Sequence, residues 1–542
     1  MLKKEIKQLT SALIVSAMVL SMAGCGNQTS NSESSSTSGS QENNVSNYTD
    51  YSGGFDSKVT IQIPVFDRAI EGWNVTDNYY TEWVQSEFGD KYNINVEFVA
   101  IARSSQVNDY MQLLASGKAP DIIFHYDMPQ MLAYYGEGSM QSLDLDEIAY
   151  YAPAYWMNMS EAIEAYGTVD GKDYFFFADR PDAYNYVTLI RQDWLDAVNM
   201  EMPTCLEELN EVLAAWKEAG LGNGGGSLIQ NSYTYDYPFR DINMSTEEHA
   251  LYSDLAVAAF TWEPTYEYLK NLNYQYNNGL INTEFYLNTD DATTQADFVA
   301  GVAGIFSLYI SSSSPTIDSL QANNPDAKLA YLPLAAQTPR DNKPQSREYW
   351  PFGMIMGINQ DCSDEERAAV WMYMEWLSDA DNLFYLQNGI EGVNYTFDES
   401  GLAVPVADFT GESKLSQNNN KDYWCLVTES AQYTDKELTY KANLKNWAPV
   451  GYEYIIEDSY EDFQTMAEYR TPDALFNVML PSVSEYKAEL TEKWKELYVK
   501  CTMASEEDFD AVYEKACQDY LDAGYQIILD EKQVAIEAGN FK

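Results

Sequence analysis

The sequence predicts an α/β fold with a parallel sheet in its first third. Apolar and polar residues alternate with the period of a strand at 59–65 and 94–98, and a third apolar run follows at 121–124. Helical patterns separate these runs at 77–88 and 105–114. This strand–helix–strand–helix–strand order predicts parallel strands with right-handed crossovers. With 542 residues, 45% of them hydrophobic, the chain is long enough for a well-buried core and more than one domain.

The N-terminus has the three parts of a secretory signal in the required order. Three lysines lie among the first seven residues, an apolar run covers 13–20, and small residues lead into Cys25. The apolar run is too short to span a bilayer, which takes about 20 residues. The cysteine at the cleavage point resembles a bacterial lipobox, in which the thiol takes a diacylglycerol and becomes the new N-terminus. We therefore expect a lipoprotein signal peptide at 1–24 and lipidation of Cys25, the alternative being an ordinary signal peptide that contains a cysteine.

A polar segment follows the signal and separates it from the folded body. Residues 26–50 are mainly Ser, Asn, Thr, Gly and Gln, a composition that buries little apolar surface and favours a flexible coil. We assign 25–54 to the lipidated cysteine and a disordered linker. No later stretch is apolar for long enough to span a bilayer. The lipid is therefore the expected membrane contact, and the body is expected on the outer face of the cell membrane.

The charge and the metal-binding residue types exclude several functions. The chain has 32 Lys and Arg against 84 Asp and Glu, a net charge of -52. Such a field repels nucleic acid and anionic lipid, and it disfavours a strongly anionic ligand unless a local arginine pocket offsets it. Two histidines, and five further cysteines without a C-x-x-C pair, argue against a zinc site and against a disulfide framework. No EF-hand calcium pattern is present, so we expect no metal and no cofactor.

The aromatic residues suit a sugar ligand. Aromatic residues make up 14% of the chain, including 43 Tyr and 12 Trp, and these two side chains combine a flat apolar face with a polar tip. In an open α/β sheet, ligands bind beyond the carboxyl ends of the strands. That rule points to the loops at 66–74 and 125–127. Their aromatic residues either line a pocket or close the end of the sheet.

Further strands and helices are predicted along the rest of the chain. They lie at 172–178 (strand), 186–191 (strand), 204–220 (helix opened by a capping box), 267–278 (helix), 297–309 (a helix end, a break at Gly301 and an apolar strand), 328–333 (strand), 349–358 (strand, bulged at Gly353), 363–377 (helix opened by a capping box) and 481–542 (mostly amphipathic helix).

Taken together, several motifs resemble a known family. They are, in chain order, the lipobox, ASGKAPDIIF (115–124), DGKDYFFF (170–177), LIRQDWLDAVNMEMPTCLEEL (189–209), FVAGVAGIFSLYI (298–310), WMYMEWLSDADNLFYLQNGIEGVNYTF (371–397) and DAGYQIILDEKQ (522–533). Their order and spacing resemble extracellular solute-binding proteins of family 1, the substrate-binding lipoproteins of ABC importers, in the long oligosaccharide-binding group of Gram-positive bacteria.

The resemblance implies a two-lobed α/β fold of the periplasmic-binding-protein type (type II, Venus flytrap) with a hinge of crossing strands. The chain is expected to cross between the lobes near 178–187, near 338–347 and after 397. Lobe 1 is expected to comprise 55–178 plus 340–400, and lobe 2 to comprise 179–339 plus 401–542 with the C-terminal helical part.

The function implied by the resemblance is capture of an oligosaccharide between the lobes and its delivery to ABC permease subunits, by a monomer that breaks no bond. The expected ligand-binding residues are Trp73, Asn74, Tyr126, Asp127, Arg180, Tyr184, Tyr309, Trp350, Asn394, Tyr395 and Trp447. The aromatic residues would stack on sugar faces, and the polar ones would bond hydroxyls. A surface glycoside hydrolase, an adhesin without a cleft, and a binding protein for a peptide or another small solute are the alternatives.

Overall fold

The computed structural model describes residues 48–181, 186–222, 236–287, 291–406, 420–430, 433 and 435–542. Residues 50–542 form one unit. The predicted signal peptide, Cys25 and Tyr184 lie outside the described residues. Among the described residues, no helix has both the length and the apolar composition needed to cross a bilayer.

The strands are short apart from the first two. They are β1 Val59–Asp67, β2 Ile94–Ala102, β3 Ile122–His125, β4 Thr168–Val169, β5 Lys172–Asp173, β6 Phe176–Asp179, β7 Tyr186–Arg191, β8 Ile305–Tyr309, β9 Leu329–Tyr331, β10 Ser346–Glu348, β11 Phe352–Ile358, β12 Tyr395–Phe397, β13 Ala403–Pro405 and β14 Arg470–Pro472.

Helices occupy most of the remaining described chain. They are α1 Tyr79–Val84, α2 Gln106–Ala115, α3 Met128–Gly136, α4 Leu145–Tyr151, α5 Pro153–Tyr166, α6 Gln192–Val198, α7 Leu206–Ala219, α8 Thr246–Tyr252, α9 Glu263–Asn277, α10 Asp291–Val299, α11 Ser313–Asn323, α12 Asp364–Ser378, α13 Ala380–Asn388, α14 Lys436–Trp447, α15 Glu453–Thr465, α16 Pro481–Thr502, α17 Phe509–Tyr520 and α18 Gln526–Glu537. A wide π-helical turn, Gln85–Gly89, follows α1 and continues into a single α-helical turn, Asp90–Tyr92. A second π-helical turn, Leu521–Tyr525, joins α17 to α18.

Two adjoining sheets, the pair β1-β2 and the three strands β3-β11-β6, form the layer that we call the first sheet. β1 and β2 are parallel over nine residue pairs, as predicted. The backbone N–H of Asp121 donates to the carbonyl of Gln62 at 3.0 Å and brings the start of β3 beside β1. β11 lies antiparallel between β3 and β6, so the prediction that β3 joins a parallel sheet with β1 and β2 was wrong: within the described chain, β3 pairs with the antiparallel β11. The register of β11 against β6 shifts between Phe352 and Ile355, which confirms the bulge predicted at Gly353.

The second sheet is entirely antiparallel, with β7 between β8 and β9. All six residues of β7 are buried because helices cover the sheet. The side chains of Val187 and Leu189 pack in one hydrophobic cluster and that of Ile190 in another. This alternation places the two clusters on opposite faces of the sheet.

The buried side chains form separate cores around the two sheets. One cluster draws on 55–178, 352–386 and 423–427. The two clusters on the second sheet draw on 187–336 and on 444–528. The segment 423–427 thus packs with the first sheet, although the sequence expectation placed everything after position 400 in lobe 2. The lobe boundaries themselves stay a prediction.

The two predicted capping boxes had different outcomes. At α12, the Ser363 hydroxyl accepts a hydrogen bond from the backbone N–H of Glu366, and the Glu366 carboxylate accepts one from the backbone N–H of Ser363. These two bonds confirm the capping box. At α7 the prediction was wrong: the helix begins one residue later than the box requires, with Cys205 at its N-cap. The carboxylate of Glu208 accepts from both the N–H and the hydroxyl of Thr204 instead.

Candidate functional site

A cavity of about 560 Å³, called the cleft below, lies beyond the carboxyl ends of β1, β2 and β3. Arg68, Arg103 and Tyr126 each follow the last residue of one of these strands, and all three line the cleft. Tyr186 at the start of β7 and Tyr309 at the end of β8 line it from the second sheet, with ring centres 4.5 Å apart. The volume falls within the range of roughly 300–1,000 Å³ that is typical of small-ligand sites.

Five of the residues selected from the sequence border the cleft, namely Tyr126, Asp127, Arg180, Tyr309 and Trp350. Tyr126 lies parallel to Phe66, with ring centres 6.3 Å apart. Tyr309 is 48% exposed, which leaves much of its side chain free for a ligand. Trp350 packs edge-on against Tyr166 at 4.8 Å. The contact of these five residues with a ligand stays a prediction.

Trp73 and Asn74 do not border the cleft. The indole N–H of Trp73 donates to the Tyr423 hydroxyl at 3.2 Å, and its ring lies edge-on to Tyr80. The side-chain oxygen of Asn74 accepts from the backbone N–H and the hydroxyl of Thr76, both at 3.1 Å. These contacts hold the loop that follows β1 in its own conformation.

Three further selected residues also lie away from the cleft lining. The side-chain oxygen of Asn394 accepts the N–H of Ile390 at 2.8 Å and closes the loop between α13 and β12. Tyr395 is buried at the start of β12, edge-on to Phe384. Trp447, at the end of α14, stacks on Tyr460 with the ring planes 8° apart.

The sequence reasoning missed several cationic and aromatic residues of the cleft, among them Arg68, Arg103, Arg347, Tyr349 and Lys421. Arg68 lies within the loop that was expected to border a pocket but was not selected. Arg103 follows β2, and applying the strand-end rule to all three strands would have found it. No local pattern marks Lys421, which reaches the cleft through tertiary packing alone.

Two buried ion pairs lie beside the cleft, and each joins residues that are far apart in the sequence. The Nε of Arg180 donates to the carboxylate of Glu429 at 2.6 Å, and Arg347 binds Asp473 through Nη2 at 2.6 Å. Both guanidinium groups also lie over the ring of Tyr349, at 4.7 and 4.5 Å from its centre. Burial raises the pKa of Tyr349 to about 12, so its hydroxyl keeps its proton at neutral pH.

The chain segments carrying these pairs meet where the cores adjoin. The N–H of Asp179 donates to the carbonyl of Val427 at 2.9 Å, and the N–H of Glu429 donates back to the carbonyl of Asp179 at 3.0 Å. β10 pairs in parallel with β14 beside them. A Cβ atom added at Gly353 would overlap the Glu429 carboxyl group, so glycine is required there for the side chain of Glu429 to fit.

Two buried nitrogen atoms of cleft residues have no hydrogen-bond partner within the described part of the chain: Nε2 of His125 and Nε1 of Trp350. The Nδ1 of His125 accepts the N–H of Asp127 at 2.9 Å, so the neutral ring carries its proton on Nε2. Burial lowers the pKa of His125 to about 4, and the charges of Arg103 and Lys487 act in the same direction. At neutral pH both nitrogens are therefore neutral donors without an acceptor.

Asp121, Cys362 and Glu366 bring potential metal-ligand atoms within 4.8 Å of one another, away from the cleft lining. Each already has a structural role or an unfavourable protonation state. Asp121 accepts the N–H of Gln62 at 2.7 Å, and Glu366 belongs to the capping box of α12. Burial raises the pKa of the Cys362 thiol, which keeps it protonated. We assign no metal to this group.

The chain is similar to several known proteins. It is 25% identical over 366 residues to the polygalacturonan/rhamnogalacturonan-binding protein YtcQ of Bacillus subtilis, covering 64% of this chain and 68% of that protein. It is 24% identical over 344 residues to lipoprotein LipO of the same organism, covering 58% of this chain and 60% of LipO.

Among solved structures, that of the alginate-binding protein AlgQ2 without calcium ion aligns over 90% of this chain and 100% of its own, with a TM-score of 0.60 at 17% identity. This likeness confirms the two-lobed α/β fold. The sequence model of the family described as bacterial extracellular solute-binding protein matches residues 83–391, more than half of the 542 residues. The chain therefore belongs to the family of bacterial extracellular solute-binding proteins.

Proposed function

We propose that this protein is a lipid-anchored substrate-binding protein of an ABC importer that captures an oligosaccharide in the cleft and delivers it to the membrane permease. The observation that carries the proposal is the composition of the cleft in a member of this family. Aromatic rings that are partly exposed, and residues with buried neutral donors that lack a partner in the described chain, lie around one cavity of about 560 Å³.

The side chains of the cleft suit the surface of a sugar. A pyranose ring presents C–H faces that pack on aromatic rings, and hydroxyl groups that accept and donate hydrogen bonds. Tyr126, Tyr309 and Trp350 supply the rings. Nε2 of His125 and Nε1 of Trp350 are buried donors without a partner in the described chain, and a sugar oxygen would satisfy them once movement of the neighbouring side chains lets it reach them. Two of the similar proteins, YtcQ and AlgQ2, are named for the sugar chains they bind, which supports a carbohydrate ligand here.

Capture requires that the ligand favour the closed arrangement of the two lobes. A ligand shifts such an equilibrium only through contacts that differ between the open and closed states. A sugar held at once by Tyr126 from the first sheet and Tyr309 from the second makes such contacts. The permease would then recognise the closed form and receive the sugar unaltered.

Three of the four carboxylates that border the cleft are held in ion pairs, which leaves one, Asp127, where a glycosidase needs two. Such enzymes need a carboxylic acid whose raised pKa lets it protonate the leaving oxygen, and a second carboxylate roughly 5–9 Å away. Burial alone would raise the pKa of Glu429, but the charge of Arg180 outweighs it and lowers that pKa. Asp473 and Asp254 are held in ion pairs by Arg347 and Lys532. This arrangement supports binding without hydrolysis.

Cys25 would anchor the mature protein through its lipid, with the polar linker allowing the body to reach the permease. The lipobox pattern carries this part of the proposal. The name of the similar protein LipO, a lipoprotein, supports it. We propose that the protein acts as a monomer.

Thermal-shift screening of the purified protein against an oligosaccharide panel tests the proposal, because a ligand that binds only the native state raises the melting temperature. One class of oligosaccharide should raise it by several degrees and should be recovered uncleaved. Tyr309→Ala should abolish that shift, whereas Tyr274→Ala should not, since Tyr274 is similarly exposed (45% against 48%) but lies outside the cleft lining. A panel that leaves the melting temperature unchanged, or saccharides that come back shortened, would contradict the proposal.

A further inference from the structure

The lining of the cleft is rich in cationic side chains, although the chain as a whole is strongly acidic. Six of the 32 Lys and Arg residues border it, namely Arg68, Arg103, Arg180, Arg347, Lys421 and Lys487. Three of them are neutralised by carboxylates: Arg68 by Asp422, Arg180 by Glu429 and Arg347 by Asp473, each at 2.6 Å.

The other three cations, Arg103, Lys421 and Lys487, have no ion pair within the described residues. Of the carboxylates that border the cleft, only Asp127 lacks an Arg or Lys partner among those residues. Asp127 is instead 3.8 Å from His125, which is neutral at pH 7, and its side chain is 66% exposed. Three unpaired cations therefore face one unpaired carboxylate, and the cleft has a local excess of positive charge.

Local charges decide what binds here, because salt screens the distant surface. The Debye length at physiological ionic strength is about 8 Å. Acidic residues further away than this contribute little inside the cleft, although they belong to the net charge of -52. The positive field already acts on the residues of the cleft. Burial is the largest cause of the lowered pKa of His125, and the charges of Arg103 and Lys487 lower it further. Burial raises the pKa of Glu429, but Arg180 lowers it by more and Lys421 lowers it further.

Arg103 is held in a position that suits a planar anion. Its guanidinium carbon lies 5.0 Å from the ring centre of Phe66 and 5.6 Å from that of Tyr126, and its backbone N–H donates to the carbonyl of Asp67 at 2.8 Å. Packing on the two rings restrains the side chain, and its N–H groups remain available. An arginine fork of this kind matches a carboxylate with two parallel hydrogen bonds.

We infer that the captured oligosaccharide is acidic, with uronate carboxylates that are bound by Arg103 and Lys421, while Lys487 adds to the attraction from the rim. This inference rests on the proposed capture of an oligosaccharide and specifies its chemical class. The aromatic rings hold the sugar faces, the unpaired donors of His125 and Trp350 bind neutral oxygens, and the cations bind the carboxylates.

Calorimetric titration of the full chain with size-matched saccharides tests the inference. The probes are trimers of galacturonate, of mannuronate and of glucuronate, the methyl ester of each, neutral trimers, and sulfated trimers. Each ester keeps the sugar, the linkage and the length but removes the charge. We expect at least one uronate trimer to bind about 100-fold more tightly than its ester, since each of two charge contacts is expected to contribute about tenfold. Raising the salt concentration should weaken binding of the acid and leave that of the ester unchanged.

Two variants locate the effect, and one matched variant controls for it. Arg103→Met and Lys421→Met should each weaken uronate binding about tenfold without changing binding of the ester. Lys118→Met removes an equally charged, exposed side chain at the opposite end of β3 and should change neither. Equal affinity for acid and ester, or tightest binding of a neutral or sulfated trimer, would overturn the uronate assignment and leave oligosaccharide capture intact. Failure of every saccharide to bind would overturn the proposed function itself.

Discussion

Replacing Glu429 with glutamine tests whether the junction between the cores depends on a buried ion pair. Glu429 accepts the Nε of Arg180 at 2.6 Å, and the two side chains are only 14% and 18% exposed. Burial alone would raise the pKa of Glu429, but the charge of Arg180 outweighs it and holds that pKa below its usual value. The carboxylate is therefore ionised at neutral pH, and the glutamine variant leaves Arg180 buried beside an uncharged amide.

The expected loss can be estimated from the structure. Removing one partner of a buried ion pair costs about 3–5 kcal/mol, because the remaining charge is left unpaired. The ring of Tyr349, 4.7 Å from Arg180, still faces the guanidinium, so we expect about 3 kcal/mol. An unfolding entropy of about 2.1 cal/mol/K per residue gives about 1 kcal/mol per degree for roughly 490 residues that unfold together. The melting temperature should therefore fall by about 3 °C.

Differential scanning calorimetry at pH 7 and 0.15 M salt, without ligand, measures this change. Glu437→Gln is the matched control, since Glu437 binds Lys441 at the same 2.6 Å but with exposures of 75% and 46%, and surface pairs of this kind contribute little to stability. The double replacement Arg180→Met/Glu429→Leu should recover most of the loss, because it leaves no unpaired buried charge at this position. If Glu429→Gln melts within 0.5 °C of the control variant, the reasoning is wrong.

Three further predictions follow from single residues. Burial raises the pKa of Asp121 to about 6 from an ordinary value of 3.8, so the folded state holds the proton more tightly and loses stability as pH rises from about 4 to 6. Asp121→Asn keeps an oxygen that accepts the hydrogen bond from the backbone N–H of Gln62. The variant should raise the melting temperature by about 2 °C at pH 7.5 but not at pH 4. An equal shift of the melting temperature at both pH values would contradict this. Trp350→Phe removes a buried N–H that has no partner in the described chain. It should weaken sugar binding about tenfold in calorimetry without lowering the melting temperature of the free protein. Unchanged affinity would exclude this N–H as a ligand donor. Cys25→Ser should release the protein from membranes into the medium and abolish palmitate labelling, and a membrane fraction that keeps the protein would refute the lipid anchor.

Local sequence patterns predicted the parts of the fold that local chemistry determines. The alternation of apolar residues in β1 and β2 marks a sheet with one face more buried than the other, and the capping box at Ser363 marks the start of a helix. The strand-end rule placed Tyr126 and Asp127 at the cleft because it follows from the direction of the strands alone.

Long-range pairing was beyond these patterns. β11 inserts antiparallel between β3 and β6 from more than 170 residues further along the chain, and its apolar sequence suits either direction. Arg68 and Asp422 are 354 residues apart, so neither shows its partner in its own neighbourhood. The strand-end rule also pointed to the loop that contains Trp73 and Asn74, and a family motif pointed to Tyr395. Neither kind of reasoning distinguishes a cleft wall from the packing of a loop or a strand.

The expectation about ligand charge shows a different limit. A net charge of -52 averages over the whole chain, whereas a ligand in the cleft interacts mainly with the side chains that line it. Arg103 and Lys421 are separated by more than 300 residues, and only folding brings both to one cavity. The sequence suggested that an arginine pocket could offset the net charge but did not locate it.

Small-angle X-ray scattering during titration with the oligosaccharide that raises the melting temperature tests the central claim most directly. The claim predicts a decrease in the radius of gyration that saturates at one sugar per protein, with the sugar recovered at its original mass. An unchanged radius at saturation, or a shortened sugar, would contradict capture by closure.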